Sequence, residues 1–294
     1  MKIGRFLLNL LKIKMVRFRN SINKNYRFGL VKEKRNIPYI DDGNINHQFD
    51  IYYASENRKN ICLFDIHGGS YIFNSHIDNY EFALEFVKRG YDVITLDYLP
   101  NDGKMNVIDQ VNDILKNIEY IANNLNELEI NKDKYVLTGD SAGGHFALLM
   151  MELFSDKELL KQFGFEIDIH FEGVLVNSPV YDVMNIGNGY LSKSGYKRMF
   201  GPDYMSREKV SPKKYIDYLN SPIFLSTCKN DFLRSESLLL LEDLKEKQKE
   251  YEFLDIDNPD KKVDHVHNVN KVYLADSIKV NDTMDLFIQK HIMK

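Results

Sequence analysis

The chain has 294 residues, 44% hydrophobic and 28% charged, with a formal net charge of −4. That length suits one large α/β domain, and the mild negative charge implies no general attraction to nucleic acid. Two cysteines, Cys62 and Cys228, sit far apart in apolar runs, which speaks against a disulfide framework and for reduced, buried thiols.

From Met1 to Lys32 every charge is positive, and Ile3, Phe6, Leu7, Leu10 and Leu11 recur at helical spacing. No apolar run reaches transmembrane length, and neither the apolar centre nor the cleavage site of a signal peptide is visible. Residues 1–47 are therefore expected to form a basic amphipathic segment that covers the body of a cytoplasmic protein. Contact with a membrane surface is the less favoured alternative.

Further along, Phe49–Tyr53 reads as a strand, and Asn60–Ile66 reads as a strand buried on both faces. His76–Arg89 is a helix closed by Gly90, Tyr91–Asp97 a strand, and Met105–Leu125 a long amphipathic helix. Lys134–Thr138 is a strand and Ala142–Phe154 a helix. Strands follow at Gly173–Asn177, Pro222–Thr227 and Tyr251–Ile256, with helices at Ser235–Lys247 and Val272–Ile292. This alternation predicts a mostly parallel sheet covered on both faces, spanning residues 48–294. Asp182–Leu219 breaks the alternation and is expected to be a cap insertion, with Tyr181, Tyr190, Tyr196 and Phe200 walling a closed cleft.

The chemistry concentrates at Gly139-Asp140-Ser141-Ala142-Gly143-Gly144, a G-x-S-x-G pattern that leaves a strand and opens a helix. A sharp turn there lifts the serine oxygen above the sheet, at a helix N-terminus that favours developing negative charge. His67-Gly68-Gly69-Ser70 follows the doubly buried strand. Its glycines allow close approach, so Gly68 and Gly69 are expected to donate N–H groups to an oxyanion, with Ala142 as a third donor. His67 is expected to order that loop. Asp231, just past a strand end, is the expected acid, with Asp255 and Asp257 as weaker candidates. His265 or His267 is the expected base; His47, His76, His145, His170 and His291 are assigned surface or packing roles. No metal-ligand spacing appears, and no cofactor is needed.

These residues resemble the hormone-sensitive-lipase-like branch of the α/β-hydrolases over about residues 48–290. The resemblance rests on His67-Gly68-Gly69, on the Gly139–Gly144 elbow and on Leu96-Asp97-Tyr98-Leu99-Pro100. It implies the α/β-hydrolase fold and a carboxylesterase activity on small or short-chain acyl esters, with the basic N-terminal segment over the pocket. It also favours His265, because His265-Val266-His267 is similar to the family's histidine segment. The chain departs from the pattern at Cys228, where glycine is common, and at His145, where asparagine is frequent. It also lacks the arginine usual after the tyrosine of the Asp97-Tyr98 segment. Amide hydrolysis, as in an arylformamidase or small peptidase, is the alternative reading; a non-catalytic binding protein is the weakest.

Overall fold

The computed structural model describes residues 30–101, 105–184, 197 and 199–293. The expected N-terminal helix therefore lies outside the described residues, as do Tyr190 and Tyr196. Among the described residues eight strands form one sheet: β1 (Lys32–Pro38), β2 (Gln48–Tyr53), β3 (Ile61–Ile66), β4 (Asp92–Leu96), β5 (Lys134–Asp140), β6 (Phe171–Asn177), β7 (Ile223–Cys228) and β8 (Tyr251–Ile256). Their spatial order is β1-β2-β4-β3-β5-β6-β7-β8. β2 runs antiparallel to both β1 and β4, and β3 to β8 are mutually parallel.

Alternate residues along the central strands serve opposite layers, as a two-residue period requires. Phe64, Leu137, Val174 and Leu225 join one core, with helices α2 (Val107–Asn123), α3 (Ala142–Phe154) and α6 (Arg234–Glu246). Leu63, Val136, Leu175 and Phe224 join the other, with α1 (Tyr80–Lys88) and α8 (Ala275–Phe287). Both faces are covered, which explains the continuous apolar runs of β3, β5, β6 and β7. The shorter helices α4 (Lys157–Lys161), α5 (Tyr204–Glu208) and α7 (His267–Asn270) lie in connections.

Three local expectations are corrected. Residues 32–38, grouped by sequence with the basic segment, are an edge strand. Its residues Lys-Glu-Lys-Arg-Asn-Ile-Pro carry charge and a proline, which suits a sheet edge and hides the strand from a hydrophobic-pattern reading. The helix assigned from His76 starts at Tyr80, because His76 belongs to the preceding turn. Tyr181 walls no cleft: it is fully buried, and its hydroxyl donates to Asp243 Oδ2 at 2.7 Å.

Candidate active site

The site lies at the C-terminal ends of β5, β7 and β8, where side chains leave a parallel sheet for the loops above it. Ser141 joins β5 to α3 at φ 54°, ψ −118°, a left-handed conformation strained for a residue with a Cβ. The turn is held from β6 and by its own helix: Ser141 N–H donates to Asn177 O at 2.9 Å, and Ser141 O accepts the first bond of α3 from His145 N–H at 3.0 Å. A Cβ on Gly139 would sit 2.4 Å from Gly143 O, and one on Gly143 would sit 1.9 Å from Ile66 O. The two flanking glycines therefore let β5, α3 and the end of β3 approach one another.

Asp231 and His265 come together from loops after β7 and β8. His265 Nδ1 lies 2.9 Å from Asp231 Oδ1 and 3.0 Å from Oδ2. Asp231 also accepts from Leu233 N–H at 2.7 Å and from the Ser178 hydroxyl. Burial raises the Asp231 pKa, but the hydrogen bond and charge of His265, with Ser178 and Leu233, outweigh it and hold the carboxyl below its usual range. Asn230 Nδ2 bonds Asn258 O, Asp260 O and Val263 O, each at 3.0 Å, and so ties the two loops together. An imidazole anchored by a carboxylate on one nitrogen can take a proton on the other.

His267 is placed elsewhere. It is buried, and its Nδ1 lies 2.9 Å from Ser277 Oγ in α8, while that hydroxyl donates to His267 O at 3.0 Å. Of the two histidines, only His265 bonds Asp231. Asp255 pairs with Arg234 and Asp257 with Lys229, so neither weaker acid candidate faces His265 through a hydrogen bond among the described residues.

The loop after β3 differs from expectation at one residue. Gly68 N–H donates to Asp140 Oδ1 at 3.0 Å, so it is not free for an oxyanion. A Cβ at Gly68 would stand 2.3 Å from Asp140 Oδ2, and that contact accounts for the glycine. Gly69, at φ 121°, and the N1 amide of Ala142 remain as the donors read from sequence. His67 orders the loop: Nε2 faces Asp97 Oδ1 at 3.1 Å, Nδ1 faces Gly68 O at 2.6 Å, and the ring stacks on Tyr98 at 4.3 Å.

Below the loop lies a buried polar network that sequence reasoning missed. Asn79 Nδ2 bridges Asp65 Oδ2 at 2.9 Å and Asp140 Oδ1 at 3.0 Å. Burial raises both carboxyl pKa values, Asp65 the more strongly with the charge of Asp140 beside it. His76, assigned a surface or packing role from sequence, is buried between Asp97 Oδ2 at 2.9 Å and Asp50 Oδ1 at 3.4 Å. Burial alone would lower its pKa, but the two carboxylates raise it to about 9. Ser178 was missed as well. Only its position beside Asp231 gives the hydroxyl a purpose.

With this geometry established, comparison with known proteins places the chain. The BD-FAE family model matches residues 49–240, and the chain belongs to that family. Its fold is the α/β-hydrolase fold, in agreement with the resemblance drawn from the Gly139–Gly144 elbow. Esterase B from Lactobacillus rhamnosis is similar over 98% of this chain and 96% of its own, at TM-score 0.84 and 20% identity. A truncated carbohydrate esterase from gut microbiota covers 90% of this chain and 97% of its own, at TM-score 0.70 and 16% identity. A bacterial heroin esterase covers 95% and 90%, at TM-score 0.68 and 17% identity. A search of curated protein sequences found no match.

Proposed function

We propose that this protein is a serine carboxylesterase for small or short-chain acyl esters, with Ser141 as nucleophile, His265 as base and Asp231 as its orienting acid. The observation that carries this reading is His265 Nδ1 seated against both oxygens of Asp231, at the same C-terminal end of the parallel strands as the strained Ser141 elbow. In the reaction Ser141 Oγ attacks the ester carbonyl and His265 Nε2 takes its proton. The oxyanion is held by the amides of Gly69 and Ala142. Collapse of the tetrahedral species breaks the bond to the alcohol, which leaves with the proton from His265. Water then attacks the acyl-enzyme with His265 again as base, releasing the acid and restoring Ser141. No step calls on a cofactor.

The short-chain preference follows from the sequence expectation of a bounded cleft and is supported by Esterase B, which has been obtained inhibited by a tributyrin phosphonate. The protein is proposed to act in the cytoplasm. The described residues contain no helix long and apolar enough to cross a membrane. The deciding experiment compares p-nitrophenyl acetate, butyrate and octanoate with an N-formyl anilide and an aminoacyl anilide, for wild type and Ser141→Ala. Ser141-dependent turnover that falls from acetate or butyrate to octanoate supports the reading. A preference for either anilide replaces it with amide hydrolysis, and turnover kept by a folded Ser141→Ala protein removes Ser141 from the mechanism.

A further inference from the structure

His145 has no part in the reaction above, yet it lies one helical turn below Ser141 and has no exposure to solvent. Its side chain joins two segments remote in sequence. Nε2 lies 2.6 Å from Val210 O, in the insertion between β6 and β7, and Nδ1 lies 2.9 Å from the Tyr71 hydroxyl. Burial lowers the His145 pKa to about 4 against the opposing Val210 carbonyl, so the ring is neutral near pH 7. A neutral imidazole has one donor and one acceptor. A carbonyl only accepts, so Nε2 carries the hydrogen and Nδ1 accepts from Tyr71. Burial, with the charge of Glu236, keeps the Tyr71 phenol protonated and able to donate.

Tyr71 closes the loop that follows β3. Gly69, Ser70 and Tyr71 have φ of 121°, 53° and 66°, a run of positive values that non-glycine residues adopt only when their surroundings enforce it. The enforcement converges on Tyr71. Its carbonyl accepts from Asn101 N–H and Gln110 Nε2, each at 2.8 Å. Its ring packs edge-on against Phe146 at 5.5 Å and against Phe200 of the insertion at 5.2 Å. The insertion therefore touches Tyr71 twice, through the Phe200 ring and, by way of His145, through the Val210 carbonyl.

We propose that Tyr71, His145 and the Val210 carbonyl form a strut through which the Phe200–Val210 part of the insertion sets the geometry of the oxyanion loop and so the rate of the chemical step. His145 and Tyr71 are then positioning residues. The inference rests on the esterase reading for its kinetic consequence, while the hydrogen-bonded strut has its own readout.

The test uses the full chain and p-nitrophenyl acetate, whose acetyl group is the smallest acyl group among the esters of the substrate panel. Tyr71→Phe removes one hydroxyl and keeps the ring. It is expected to lower kcat about 3- to 10-fold with KM unchanged, the size of one lost hydrogen bond felt in the transition state. Phe200→Leu loosens the insertion without touching the loop's own bonds, and is expected to lower kcat in the same direction. Combined with Tyr71→Phe, it should give less than the product of the two effects. An unchanged kcat in folded Tyr71→Phe, a change in KM alone, or fully multiplicative effects would each overturn the strut. Nitrogen-15 NMR of His145 reads it without turnover. An unprotonated Nδ1 that shifts in Phe200→Leu supports it; a protonated Nδ1, or no response to Phe200→Leu, rejects it. Should wild type show no Ser141-dependent hydrolysis, the esterase reading fails and the NMR result alone decides the strut.

Discussion

Ser178 donates its hydroxyl to Oδ2 of Asp231, and the same residue donates its backbone N–H to Ser226 O at 2.8 Å. Ser178 stands at φ 48° in the segment whose preceding residue, Asn177, holds Ser141 N–H. The segment thus grips the elbow on one side and Asp231 on the other.

Removing that hydroxyl should therefore change the chemistry more than the fold. A carboxylate that loses a donor becomes more basic and stabilises the protonated imidazole beside it. The acid limb of the kcat/KM profile in Ser178→Ala is expected to move to higher pH, with a loss of about 3- to 10-fold at neutrality. Ser178→Thr should restore much of the wild-type profile. An unaltered profile in Ser178→Ala would leave the hydroxyl a purely structural role.

The two histidines of the last loop should separate cleanly. His265→Ala is expected to reduce kcat by about three orders of magnitude or more while the melting temperature changes little. His267→Ala loses the bond to Ser277 and opens a buried space, so it should destabilise the protein by about 1–3 kcal/mol. Urea unfolding together with initial rates resolves the pair. Equal kinetic damage from both variants would contradict the placement.

Close approach at the elbow makes a third expectation. Gly143→Ala places a Cβ 1.9 Å from Ile66 O and 2.5 Å from His67 O, backbone atoms that cannot swing aside. It should yield little folded protein. Gly164→Ala is the control: nothing lies within 4 Å of its added Cβ, and only its φ of 87° is unfavourable. A cost of about 1–2 kcal/mol is expected there. Comparable stability of the two variants would refute the steric account.

Stability should vary with pH through the buried His76 and Asp50. Burial works against ionised Asp50, but His76, Asn36 and Tyr52 prevail and lower its pKa from 3.8 to about 2. Stability from a depressed carboxylate is present above pH 3.8 and is lost as the pH falls toward 2. His76 is raised from 6.5 to about 9, so its contribution is complete below pH 6.5 and is lost as the pH rises through 9. The melting temperature should form a plateau between about pH 4 and 6.5 and decline on the alkaline side. His76→Gln should lower the plateau and flatten that decline. An alkaline limb unchanged in His76→Gln would mean that His76 is not the group titrating.

What could be read in the chain follows the reach of each interaction. The elbow was legible because Gly139, Ser141 and Gly143 act within one turn, and β3, β5 and β7 because burial on both faces leaves unbroken apolar runs. β1 was not, since its charged edge residues carry no alternation. Gly68 was misread for a different reason. A glycine in such a loop is compatible with an exposed amide or with close packing. The choice was made by Asp140, far along the chain, whose carboxylate takes the Gly68 N–H. The hydrogen-bonding roles of His145 and Ser178 were hidden for the same cause, because their partners come from the loops after other strands and from the insertion.

Among the described residues β8 occupies one end of the sheet and pairs only with β7, yet the loop that follows it carries His265. An edge strand has half the ladder of an interior one, and its cohesion relies on side-chain ties such as Arg234 with Asp255 and Lys290 with Glu252. Ser141, by contrast, follows β5, which is flanked by β3 and β6 in the middle of the sheet. The proposed base and the proposed nucleophile therefore belong to regions of unequal resistance to opening. Gentle heating or dilute denaturant would release the β8 margin first and silence the enzyme while most of the sheet is still intact. Opening of that border alone is then expected to end activity before the molecule unfolds.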